Sequence, residues 1–138
     1  MSEPLFTYET FVSFGDCDPA GIAFYPNLFK FFDRAFHAWL LSHGGHAGIC
    51  AAVGATGIGL TETSAKFRAP LRPGDAISVE ISAGTWGSRA VTFRYRILSG
   101  GRVHVTGAET RVVLVETPRG IVAGDMRPLQ RLLADGAG

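Results

Sequence analysis

Surplus charge, clustered metal ligands and long apolar runs are all missing from this chain. Thirteen Lys and Arg stand against twelve Asp and Glu, for a net charge of +1. So even a balance argues against duplex nucleic acid, which is held through many phosphate contacts. The two cysteines, Cys17 and Cys50, have no CxxC spacing. They read as reduced thiols of a cytoplasmic protein and not as a zinc site or a disulfide framework. Four histidines (His37, His43, His46, His104) share no spacing that suggests a metal or a triad, so no metal and no cofactor is expected. No Gly-x-Ser-x-Gly elbow occurs, which excludes the serine mechanism of the α/β-hydrolases. Residues 1–4 lack the basic and apolar regions of a secretory signal. No apolar run approaches the roughly 18 residues of a membrane span.

What is present suits a packed domain. Of 138 residues, 46% are hydrophobic and 18% charged, a balance that folds. The length fits one domain over 1–138. The eighteen glycines follow no Gly-X-Y period and fall between periodic segments, as turns do.

The periodicities separate strands from helices. Residues 5–14 read as a strand with Phe6, Tyr8, Thr10, Val12 and Phe14 on one face. Residues 26–42 carry the one long helical pattern. Leu28, Phe32, Ala35, Phe36 and Trp39 recur at spacings of three and four, opposite a polar stripe of Lys30, Arg34 and His37. That wide aromatic face calls for a wrapping partner. Pro26 suits the first turn and His43-Gly44-Gly45 the end. A short second helix fits residues 46–53 and a last one 126–134.

Between them lie strands. Residues 57–68 form a long one. Ile77, Val79, Ile81 and Ala83 alternate with polar residues, as do Val91, Phe93, Tyr95 and Ile97. Pro73-Gly74-Asp75 and Ser99-Gly100-Gly101 are turns. The strand over 102–115 changes phase near Gly107, which predicts a bulge there. Arg68, Arg94, Arg96 and Arg111 read as solvent-facing. One strand, one apolar helix and a run of strands argue an α+β architecture: a central helix wrapped by an antiparallel sheet of about five strands.

The chemistry concentrates in residues 14–40, FGDCDPAGIAFYPNLFKFFDRAFHAWL. Asp16 and Asp18 stand two apart in a loop shaped by Pro19 and Gly21, just before a helix that begins near Tyr25. A helix start offers open N–H groups and partial positive charge, which polarise an acyl carbonyl and stabilise its oxyanion. A carboxylate beside it can attack that carbonyl or activate a water.

The stretches FGDCDPAG and FYPN resemble the 4-hydroxybenzoyl-CoA thioesterase group of the hotdog-fold superfamily. The resemblance implies a hotdog fold and hydrolysis of an acyl-CoA to free acid and CoA. It assigns Asp18 as the catalytic carboxylate, with Asp16 left to hold the loop, and the backbone N–H at Tyr25 as the group polarising the thioester. It implies that Asp33 lines the acyl pocket and accepts a hydrogen bond from a ring hydroxyl, beside Phe24 and Phe29. Arg89 falls where the family has basic residues near the CoA phosphates, with fewer of them here. Asp33 also has a plain alternative as a surface partner of Lys30 or His37. A homodimer or homotetramer follows, with active sites at the dimer interface and no nucleic-acid or membrane partner. Two other readings stand beside it. One is a non-catalytic acyl-CoA-binding hotdog module. The other is a YbgC-like short-chain acyl-CoA thioesterase, a branch that has His where this chain has Pro26.

Overall fold

The computed structural model describes residues 3–135. Among these residues seven strands and three helices follow one another: β1 (Phe6–Phe11), α1 (Tyr25–Leu41), α2 (Gly45–Val53), β2 (Gly57–Phe67), β3 (Ala76–Ile81), β4 (Thr85–Trp86), β5 (Val91–Ser99), β6 (Arg102–Thr117), β7 (Gly120–Ala123) and α3 (Arg127–Asp135). All strands join one antiparallel sheet in the order β1-β3-β5-β6-β2, with β4 added on β5 and β7 on β6. This is the hotdog arrangement anticipated from the sequence: a curled sheet around a 17-residue helix. No helix among the described residues is long and apolar enough to cross a membrane.

The core forms where α1 meets the sheet. Phe31, Phe32, Ala35, Phe36, Trp39 and Leu40 of α1 are buried, as are Ile77, Val79 and Ile81 of β3 and Val91, Phe93, Tyr95 and Ile97 of β5. Each large apolar side chain removed from water contributes about 1.5–3 kcal/mol. The rings interlock as well. Phe93 lies edge-on to Trp39 with centroids 5.4 Å apart, and Phe32 lies 4.7 Å from Tyr95. Such pairs add about 0.5–1.5 kcal/mol beyond burial.

Two local readings need correction. The first strand stops at Phe11, and Phe14 is not on its inward face but 86% exposed. The chain leaves the ladder because the Ser13 N–H turns to the Asp16 carboxylate (2.9 Å), winding residues 14–16 into a 3-10 turn. The bulge predicted near Gly107 is also misplaced. Gly107 pairs in register with both Tyr95 and Ala65, and the extra residues are His104 on β6 and Thr61 on β2. Gly107 serves a different need. A Cβ there would stand 2.4 Å from Phe32 Cε2 and 2.6 Å from the Ser64 carbonyl. Its bare backbone is what lets α1 sit this close to the sheet.

Candidate active site

The loop between β1 and α1 is tied at both ends. Asp16 is buried; its carboxylate accepts from Ser13 N–H, and its carbonyl accepts from Phe24 N–H (2.9 Å) and Asn27 Nδ2 (2.8 Å). Lys30 Nζ stands 3.8 Å from the same carboxylate. Asp16 therefore fastens the loop to the helix start. Beyond it the chain turns back on itself, with a bridge between Cys17 and Ala23 and a 3.0 Å bond from Asp18 N–H to the Ile22 carbonyl.

Asp18 sits at the corner of this hairpin. One carboxylate oxygen, Oδ1, accepts from Ala20 N–H at 2.9 Å, the local turn that Asp favours. Its Oδ2 accepts no hydrogen bond from the described residues, so the carboxylate is oriented by one oxygen and open at the other. Cys17 does not compete as a nucleophile. Desolvation first, then the Asp16 carboxylate, push its thiol up and keep it protonated.

Phe24 caps α1 in an extended conformation (φ −72°, ψ 130°) without a side-chain bond, and Tyr25 and Pro26 open the helix. Asn27 N–H folds back to the Phe24 carbonyl (2.8 Å), and Pro26 has no N–H. Among the described residues the Tyr25 N–H has no hydrogen-bond partner. One directed donor therefore remains where the helix carries roughly +0.5 charge. No acidic side chain in the first turn offsets it.

Asp18, Ile22, Phe24, Tyr25, Phe67 and Leu71 line a cleft of about 570 Å³ at this point. Phe24 and Tyr25 expose much of their rings and meet edge to face at 5.3 Å. The cleft is apolar apart from Asp18, Arg68, the Tyr25 hydroxyl and backbone groups.

Of the residues anticipated from the sequence, the cleft gathers Asp18, Phe24 and Tyr25 and not the others. Phe29 and Asp33 lie one and two turns further along α1, with Asp33 about 12 Å from Tyr25 at 1.5 Å per residue. Arg89 lines a separate concavity of about 690 Å³ with Ser88, Gly124, Asp125 and Arg127, and its Nη1 donates to the Ala123 carbonyl at 3.2 Å. Arg127 there is held by Asp125 at 2.7 Å, and that hydrogen-bonded pairing draws the Asp125 carboxyl down to about 2.

Asp33 has a partner the sequence reading missed. Arg111 is not solvent-facing; its side chain is 5% exposed, and its Nη2 donates to Asp33 Oδ1 at 3.1 Å. The same guanidinium donates twice to Glu109 Oε1 (3.2 and 3.0 Å), and Tyr95 OH donates to that oxygen at 2.5 Å. Burial, then the Glu109 carboxylate, push the Tyr95 phenol up, so it stays a donor. Strand parity carried the signal: Glu109 and Arg111 share the phase of buried Val105 and Val113. His37, the other neighbour of Asp33, stands at 3.6 Å, and burial lowers its affinity for a proton.

Comparison with known proteins gives a consistent neighbourhood. A family model described as the thioesterase-like superfamily matches residues 12–128. No curated protein matches the chain. Among solved structures, a gentisyl-coenzyme A thioesterase is 27% identical, with 90% of this chain and 98% of that one covered and a TM-score of 0.76. The 4-hydroxybenzoyl CoA thioesterase from Pseudomonas sp. strain CBS-3 is 23% identical, with 92% and 96% covered and a TM-score of 0.80. A 1,4-dihydroxy-2-naphthoyl-CoA thioesterase from Synechocystis is 23% identical, with 94% and 96% covered and a TM-score of 0.79.

Proposed function

Because this chain belongs to the thioesterase-like superfamily, we propose that it hydrolyses an aromatic, hydroxybenzoyl-like acyl-CoA to the free acid and CoA, with Asp18 as its catalytic carboxylate. The observation that carries this reading is the cleft at the start of α1. There a carboxylate with one free oxygen and a lone unpaired backbone N–H share an apolar lining.

The chemistry follows from those two groups. The thioester carbonyl oxygen lies against Tyr25 N–H, whose helix end stabilises the negative charge that develops during attack. Asp18 supplies the carboxylate: either it adds to the carbonyl carbon itself, and water then hydrolyses the mixed anhydride left when CoA departs, or it takes a proton from the water that adds. The C–S bond breaks and CoA leaves as the thiolate, which needs no strong acid to expel it. Donors of this kind are worth about 2.7–4 kcal/mol where they have been removed.

The acyl group extends toward the α1 stripe that carries Phe29 and Asp33. Aromatic neighbours favour a flat ring, and Asp33 accepts from a ring hydroxyl. The named substrates of the solved relatives (gentisyl, 4-hydroxybenzoyl and dihydroxynaphthoyl thioesters) are all hydroxylated aromatics, in keeping with this reading. Arg89 reaches the CoA phosphates. Strand β2 forms one edge of the sheet and has β6 as its only strand neighbour among the described residues, and an open edge of eleven residues invites pairing. In this proposal two copies join their sheets there, each covering the other's cleft, and the protein works in the cytoplasm.

The test is thiol release across a panel of acyl-CoAs. Hydroxylated benzoyl-type esters should exceed saturated long-chain ones in kcat/KM. Faster cleavage of palmitoyl-CoA than of every aromatic ester would end the aromatic assignment, and no release from any ester would end the enzymatic one.

A further inference from the structure

A charged pair inside a hydrophobic core needs a reason. Glu109 and Arg111 project from β6 into the space between the sheet and α1, where their side chains are 2% and 5% exposed. Burying ions is unfavourable unless each is paired and hydrogen-bonded, and apolar residues of similar volume often do as well or better. Here each charge is paired and hydrogen-bonded. Glu109 Oε1 collects the Tyr95 hydroxyl and two guanidinium nitrogens. The guanidinium carbon stands 4.0 Å from the centroid of the Phe36 ring, a cation–π contact that fixes its plane.

The network extends outward through Asp33. From the buried end it runs Tyr95, Glu109, Arg111, and the 3.1 Å bond from Arg111 Nη2 to Asp33 Oδ1 carries it to an exposed side chain. Asp33 is 55% exposed. An exposed Asp on a helix ordinarily swings among rotamers. This one has Oδ1 clamped by a buried, immobile donor, and no described residue donates to its Oδ2. Arg is suited to the task because its planar fork is always charged and presents several donors in fixed geometry.

Resting on the reading of Asp33 as the acceptor at the acyl end, we propose that Arg111, held by Glu109 and Tyr95, is the positioning residue that sets substrate specificity. It fixes Asp33 as an acceptor with one free oxygen, which selects acyl rings bearing a hydroxyl donor. Arg111 touches neither the thioester nor the ring; it acts through Asp33. A ring without the hydroxyl leaves the clamped carboxylate without its partner, and a methoxy ring meets it with no proton to share. Sites built around such a bond reject analogues lacking it strongly.

The readout is the ratio of kcat/KM for 4-hydroxybenzoyl-CoA over benzoyl-CoA. In the wild type it should be at least about tenfold, the scale of one hydrogen bond to a charged group. Arg111→Lys keeps the charge but not the fork, and should lower the ratio at least about fivefold. Arg111→Met alone strands Glu109 and can misfold, so Glu109→Gln/Arg111→Met is made beside it, leaving no lone buried charge. This double variant should fold, judged by circular dichroism and melting, and lose the ratio. In an Asp33→Asn background neither change should move the ratio further.

Folded Arg111 variants that slow both substrates equally, with the ratio intact, would overturn the proposal and make the network structural. A wild-type ratio near one would instead remove the reading of Asp33, and the proposal with it. An equal loss from Arg111→Lys with and without Asp33 would show that Arg111 acts by another route, which also overturns it.

Discussion

Adding one methyl group at Gly107 should disturb both the fold and the specificity network. In Gly107→Ala the new Cβ would stand 2.4 Å from Phe32 Cε2, 2.6 Å from Phe32 Cζ and 2.6 Å from the Ser64 carbonyl oxygen. Carbon contacts settle near 3.5–4.0 Å, so Phe32 must retreat by about 1 Å. The ring is fully buried, and its only route is to carry α1 with it. The Ser64 oxygen belongs to the backbone of β2 and cannot rotate away. Overpacking of this kind costs about 1–3 kcal/mol and occasionally more; with a backbone contact included we expect roughly 2–4 kcal/mol. At about 2.1 cal/mol/K of unfolding entropy per residue, that lowers Tm by roughly 7–14 °C.

The control is the same chemical change at Gly48→Ala. Nothing lies within 4 Å of a Cβ there, in the middle of α2, and the change should stabilise by about 0.5–1 kcal/mol. Urea and thermal unfolding of the two variants, followed by circular dichroism, should move in opposite directions. Because α1 carries Asp33, Gly107→Ala should also stretch its 3.1 Å bond to Arg111 and lower the hydroxyl preference. A Gly107→Ala variant within about 0.5 kcal/mol of wild type, the usual range of a neutral surface change, would refute the close-approach reasoning.

Three further outcomes are expected. Asp18→Asn keeps an oxygen for the Ala20 N–H, so it should melt like the wild type while kcat falls at least about a hundredfold; near-normal thiol release would remove Asp18 from the chemistry. Burial lowers the His37 pKa below 6.5. The unfolded chain therefore takes up this proton first, and stability should decline as pH falls below about 6.5 and level off beneath the folded value; His37→Gln should flatten that part of a urea-stability profile taken from pH 7.5 to 5. Sedimentation at micromolar concentration should give a dimer or larger assembly, and a monomer would contradict pairing through β2.

Much of this protein can be read from residue order, and what cannot has identifiable causes. Alternation in residues 77–81 and 91–97 and the aromatic spacing of α1 report burial directly, because each strand or helix presents a single apolar face to one core; Ala83, expected on the same face, lies past the end of β3 and is exposed. Phe14 misled because its parity continues β1, whereas the Asp16 carboxylate captures Ser13 N–H and bends the chain first. Arg111 misled because charge suggested solvent, although its parity matched Val105 and Val113; Glu109 two residues away on the same strand, and the approach of Asp33 and Phe36 from distant positions, make its burial tolerable. The cleft's far wall, Phe67 to Leu71, carries no motif and is brought to the Asp18 loop by the sheet. The Ala23 N–H to Leu71 carbonyl bond (2.8 Å) holds the two together.

The Tyr95-Glu109-Arg111 chain also restricts how this protein can change over generations. Replacing Arg111 alone leaves a buried carboxylate without its counter-ion, a loss of about 3–5 kcal/mol. A whole domain is stable by only about 5–15 kcal/mol. Replacing Glu109 alone leaves the buried guanidinium with Asp33 as its one remaining carboxylate among the described residues. Each single step thus passes close to unfolding, while the joint replacement by apolar residues need not. The two positions are therefore epistatic, and drift at either is blocked until the other has moved. A descendant could alter Phe24 or Tyr25 one residue at a time and retune the exposed cleft. Releasing Asp33 from its clamp would require a paired change or prior stabilisation elsewhere. If Asp33 reads a ring hydroxyl as proposed, that preference should shift more readily by substitution of exposed Asp33 itself than through Arg111 or Glu109.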